Sequence, residues 1–186
     1  MMDINTLTDL YRHMEWADAS VWTSVITSES GRTDAKLREY LYHLHMVQRA
    51  FLRTWRSEPR ETPYPTFNDT PSLMPWGRIY YGEAFAHLGT LNDEKMSEPM
   101  PVPWATMVEQ RLGRAPETTT IGETIFQVAF HSVYHRGQIN ARLREVGGEP
   151  PLVDYIAWVW LGRPAADWSS VTDQNAPNNG MQPTAK

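Results

Sequence analysis

The sequence contains no cysteine, which removes disulfides, thiolate nucleophiles, Cys-rich zinc modules and cysteine-held iron–sulfur clusters together. Any metal has to be held by His, Asp or Glu. No apolar run approaches the ~20 residues that a membrane span needs, so no membrane partner is expected. The opening stretch MMDINTLTDLYRHMEW has acidic residues where a secretory leader carries positive charge, and it lacks an unbroken apolar core. A cytoplasmic protein is the expectation. A basic surplus is missing as well: 17 Lys and Arg stand against 22 Asp and Glu, a formal net charge of -5. That leaves no global field to gather phosphate backbones, and nucleic acid is not an expected partner.

What is present suffices for one packed core. The 186 residues are 41% hydrophobic, with eight Trp and eight Tyr, enough to exclude a wholly disordered chain. From Asp3 to about Ile26, apolar residues at Leu7, Leu10, Tyr11, Met14, Ala17, Val21, Trp22 and Val25 keep to one helical face. Gly31 marks the break. Thr33 or Asp34 can cap a second helix running to about Arg56, with Leu37, Leu41, Leu44, Phe51 and Trp55 as its buried stripe. Between Glu58 and Pro75 the chain is studded with proline and reads as a crossover loop. A third helix is expected over about 75–95. Residues 98–116 read as extended chain or a short edge hairpin, again because of their prolines.

Thr120 followed by Glu123 is a capping box, which opens the clearest helix, Ile121 to about Val146, stopped by Gly147-Gly148 and Pro150-Pro151. A short apolar helix is expected over 154–161. Beyond Arg163 the composition turns to Asn, Pro, Ser and Thr, as in a segment that cannot bury enough surface to order itself. The expected architecture is all-α: a four-helix bundle over residues 1–163 with a long crossover between helices two and three, a short C-terminal helix, and a flexible tail over 164–186.

With cysteine gone, the six histidines carry whatever metal chemistry there is: His13, His43, His45, His87, His131 and His135. Residues four apart on a helix stand one above the other, about 40° off after a full turn, so His131 and His135 can chelate one ion. Ser132 occupies the place of the glutamate in the HExxH motif, which disfavours a zincin protease. Two imidazoles alone bind modestly, and helix two offers a third. His43 and His45 differ by about 200° around that helix and cannot share a centre. His43, beside Tyr40, Leu44, Val47 and Phe51, is taken as the ligand, and His45 is expected at the surface or on an interface. His13 is expected to be a packing or surface residue, Met14 and Met46 to be packing. Arg136 and Arg142 are expected to be either solvated or paired with a carboxylate.

The segments LREYLYHLHMVQRAFLRTW (37–55) and HSVYHRGQINARLREVGGEPPLVDYIAWV (131–159) resemble the two signature regions of the DinB-like metal-binding four-helix bundles. The resemblance implies a divalent metal held by His43, His131 and His135, with Arg136, Gly137 and Gln138 completing the second signature. The segment YRHMEWADASVW (11–22) is similar to the family's first helix, with Asp18 where Asn is commoner. Some members are similar to thiol S-transferases that use bacterial low-molecular-weight thiols, and many resemble hydrolases. The expectation is therefore a metal-dependent enzyme acting on a small-molecule substrate, with a thiol as second substrate. Alternatives are metal-assisted hydrolysis and a metal-braced, non-catalytic binding or stress-response protein. Zinc, nickel, iron and manganese all suit imidazole and water donors. The surplus of aromatics makes a homodimer a further expectation.

Overall fold

Every long helix begins at a side chain that accepts a free backbone amide of the first turn, the contact that offsets the unpaired donors there. Asp3 accepts from Thr6 N at 2.9 Å, Asp34 from Leu37 N at 2.8 Å and Asp69 from Ser72 N at 2.8 Å. Thr120 accepts from Glu123 N while Glu123 Oε2 accepts from Thr120 N, at 3.2 and 2.8 Å, so the capping box is reciprocal. A computed structural model describes residues 3–169 and places these starts at α1 (Ile4–Thr27), α3 (Ala35–Trp55), α4 (Thr70–Leu88) and α7 (Ile121–Glu145).

Shorter elements join them. A one-turn α2 (Glu29–Thr33) turns α1 into α3, and α5 (Asp93–Met96) follows α4. Strands β1 (Pro99–Met100) and β2 (Thr119–Thr120) pair antiparallel, closing an excursion that holds a 3-10 turn (Ala105–Val108) and α6 (Glu109–Leu112). Helix α8 (Tyr155–Trp160) comes last. The third long helix starts earlier than the proline pattern implies. Pro71 falls in the first turn of α4, where the missing donor costs nothing, and Pro75 lies inside the helix, so proline did not mark the boundary. The helix ends at Gly89, short of residue 95, because the chain turns there before α5.

α7 packs against both α1 and α3, and α4 packs against the same two helices, so the four form a closed ring around one core. The core is built from α1 (Tyr11, Met14, Trp22), α3 (Leu37, Leu41, Leu44), α4 (Leu73, Tyr80, Tyr81) and α7 (Ile125, Ile139, Leu143), all essentially without solvent contact. Arg142 fixes the end of α7 to the start of α3, donating to Asp34 Oδ1 and Oδ2 at 3.2 and 2.7 Å. The packed chain does not stop at 163: Trp168 is buried and its Nε1 donates to Glu15 Oε1 at 3.2 Å. The rest of the expected tail, 170–186, lies outside the described residues. Among the described residues no helix is long and apolar enough to cross a membrane.

Candidate metal centre

α3 and α7 run antiparallel along a shared seam, pinned at one end by Arg142 on Asp34 and at the other by Trp55 Nε1, which donates to Thr124 Oγ1 at 2.9 Å. Between these pins the seam brings three imidazoles together. His131 Nε2 and His135 Nε2 are 3.1 Å apart. The ring of His43 faces both from α3, with centroids 5.5 Å from His131 and 4.6 Å from His135. One ligand atom from each residue lies within 4.8 Å of the others. All three side chains are partly buried, at the rim of the seam and not in the core.

This donor set fits a transition ion. Two nitrogens that each sit about 2.0–2.1 Å from a common ion, at an angle a little over 90°, are separated by about the distance observed between the two Nε2 atoms. Electrostatics agrees. Burial lowers the pKa of each imidazole, and the neighbouring rings lower those of His131 and His135 further, His131 to about 4. The imidazoles are therefore neutral at neutral pH and offer lone pairs. On His43 the charge of Glu39, one turn earlier, opposes the shift, but Glu39 is engaged by Lys36 at 2.9 Å.

The next residue after each α7 histidine points inward. Ser132 and Arg136 are buried and join a polar network that crosses the core. Arg136 Nη1 donates to Asp18 Oδ1 at 2.7 Å, and Tyr81 OH donates to Asp18 Oδ2. Gln48 Nε2 donates to Asp18 Oδ2 at 3.0 Å and to Ser132 Oγ at 3.1 Å. The directions follow from donors of fixed type. Trp22 Nε1 can only donate, so His45 Nε2 accepts it at 2.8 Å; the His45 proton sits on Nδ1, which donates to Gln48 Oε1 at 2.7 Å. This buried network ties α1, α3, α4 and α7 beside the ligand-bearing turns of α3 and α7.

The expected trio of His43, His131 and His135 thus comes together. His45 does not lie at the surface or on an interface, as its phase suggested, but is 0% exposed. The angular argument that separates it from His43 holds, yet the opposite side of α3 is covered by α1 and α4, so pointing away from the seam means pointing inward. His13 is a packing residue, buried with Nε2 2.9 Å from Val153 O and its ring against Tyr155 and Trp158. Arg136 and Arg142 both pair with carboxylates. Gln48 and Tyr81 went unnoticed in the sequence. Gln48 carried a signal, since it continues the stripe of Leu41, Leu44, Phe51 and Trp55 as a polar residue on a buried face.

Residues 1–166 match the protein-family model described as the DinB family. No curated protein and no solved structure matches the chain.

Proposed function

Because the chain belongs to the DinB family, we propose that His43, His131 and His135 hold one divalent transition ion, at a site that activates a low-molecular-weight thiol for transfer to an electrophilic small molecule. One observation carries the reading: neutral nitrogens from two helices lie within 4.8 Å of one another at a partly open rim. Three neutral ligands leave the charge of an ion uncompensated and leave room for another ligand, so such an ion lowers the pKa of a thiol or water that reaches it. The chain's own part is positional. α7 presents His131 and His135 on one face, α3 supplies His43, and Arg136 with Ser132 hold the adjoining face of α7 in the core. In the transfer, the thiol sulfur forms the new bond to the electrophilic carbon, whose leaving group departs with the bonding electrons, and the thiol proton passes to solvent.

Metal-assisted hydrolysis ranks second. The carboxylates closest in sequence to the ligands or joined to their neighbours are committed, Glu39 to Lys36 and Asp18 to Arg136, Tyr81 and Gln48. Neither is a free base. A purely bracing role for the ion is separated from both by melting the protein with and without chelator. The thiol reading is tested by incubating the protein with bacillithiol, mycothiol or glutathione, an electrophile, and zinc, nickel, iron or manganese in turn. Ion-dependent conjugate formation that His131→Ala abolishes is expected. Absence of turnover with every thiol, in protein shown to be loaded with metal, overturns it.

A further inference from the structure

His131 and His135 approach each other through Nε2, which leaves the Nδ1 atom of each turned toward the protein. Both Nδ1 atoms are buried, and neither has a hydrogen-bond partner among the described residues. Three residues beyond His135, the side-chain carbonyl Oε1 of Gln138 is in the same condition, buried and without a donor. The other end of that amide is committed: Gln138 Nε2 donates to Tyr134 OH at 3.2 Å, and the Tyr134 ring meets the His135 ring edge-on with centroids 5.0 Å apart. Buried polar atoms are rarely left unpaired, and here an unpaired donor position and an unpaired acceptor lie one turn apart on one face of α7.

We infer that Gln138 is the positioning residue of the three-imidazole centre, its Oε1 turning from its unpaired position to accept the Nδ1–H of His135 so that Nε2 is the nitrogen presented to the ion. The inference rests on the metal-binding reading above. An imidazole that ligates through Nε2 carries its proton on Nδ1, and an oxygen acceptor there fixes both tautomer and ring orientation and makes the ligating nitrogen more basic. The same tautomer gives the ion-free contact a direction, with His131 Nε2–H donating to His135 Nε2. Tyr134 serves Gln138 in turn, by holding the amide nitrogen and so aiming the oxygen.

The test compares the full-length protein with Gln138→Leu, Gln138→Glu and Tyr134→Phe. Zinc and nickel dissociation constants, melting of the ion-free protein, and histidine 15N spectra are measured for each. Gln138 is only partly buried, so the ion-free melting temperature is expected to stay near wild type. Gln138→Leu is expected to weaken ion binding by about 10–100-fold and to shift ion-free His135 away from the Nδ1–H tautomer. Gln138→Glu restores binding to wild-type strength or better, and Tyr134→Phe falls between. Wild-type affinity together with an unchanged His135 tautomer in Gln138→Leu overturns the inference. So does equal weakening by Leu and Glu, which would mark a merely steric role. If the wild-type protein takes up no ion, the metal reading fails, and the His135 tautomer in Gln138→Leu alone judges the role of Gln138.

Discussion

Two histidines of α3, separated by one residue, do opposite work, and substitution separates them. His43 faces His131 and His135 at a rim, so His43→Ala is expected to leave the ion-free protein within about 0.5 kcal/mol of wild-type stability, as for other rim positions, while removing bound metal. His45→Ala is expected to do the reverse. It strands Trp22 Nε1 and Gln48 Oε1 in the core and opens a cavity, a loss of about 3 kcal/mol with the three ligands intact. Urea unfolding together with elemental analysis of both variants checks the pair, and equal metal loss in the two would refute the assigned phase of α3. Asp18 and Arg136 are the other residue-scale test. Their side chains are 0% and 4% exposed, so Arg136→Met abandons a buried carboxylate and is expected to cost about 3–5 kcal/mol. Adding Asp18→Asn to Arg136→Met should recover part of that loss, because an amide is cheaper to bury than a charge. A double variant less stable than Arg136→Met would contradict this.

Among the elements, α4 contains a glycine whose reason is tertiary. A Cβ on Gly77 would sit 2.5 Å from both Cδ2 and Nε2 of His45, in a ring already held on both nitrogens. Alanine normally stabilises a helix interior by about 1 kcal/mol over glycine, but the overlap forces backbone or ring to move at about 1–3 kcal/mol. The clash wins, and Gly77→Ala is expected to lower stability; a more stable variant would show that α4 can back away from α3. At the start of α7, Thr120→Ala removes one side of the capping box and is expected to cost about 1 kcal/mol. His131 lies three helical turns further on, so ion affinity should not follow. A calorimetric titration on this variant, set beside its melting temperature, distinguishes fraying of the first turn from movement of the whole helix.

For the whole molecule, burial sets the response to acid. All six histidines have pKa values lowered by burial. In the unfolded chain they take up protons near pH ~6.5, whereas the folded chain resists, so the unfolded state binds more protons as the pH drops. Stability is therefore intact above the ordinary histidine range, declines as pH falls through it, and keeps declining toward the value of about 4 for His131. Urea midpoints of the ion-free protein across this range should fall with acidification, and a flat or rising series would contradict it. Bound ion steepens the fall, since protons compete for the same nitrogens. At 100 times its dissociation constant, the ion should add about 2.7 kcal/mol to stability, which a chelator reverses.

The sequence by itself determined what depends on local geometry. The i, i+4 spacing fixed the chelating face of His131 and His135, the Thr120–Glu123 box fixed where α7 begins, and proline density marked a crossover after α3 but not its end, since Pro71 and Pro75 belong to α4. Angle around an axis was legible too, and it placed His43 and His45 on different faces. Which of those faces met another helix was not, because periodicity records a direction and not the neighbour in that direction. Asp18 and Arg136 lie 118 residues apart in sequence, and Trp168 meets Glu15 across 153. Contacts of that range have no local signature and exist only once α1, α3, α4 and α7 have closed their ring. The sequence therefore supplied the ligands, and the tertiary packing of α3 against α7 decided that they converge, since only burial on both flanks holds two separate helices at one rotational setting.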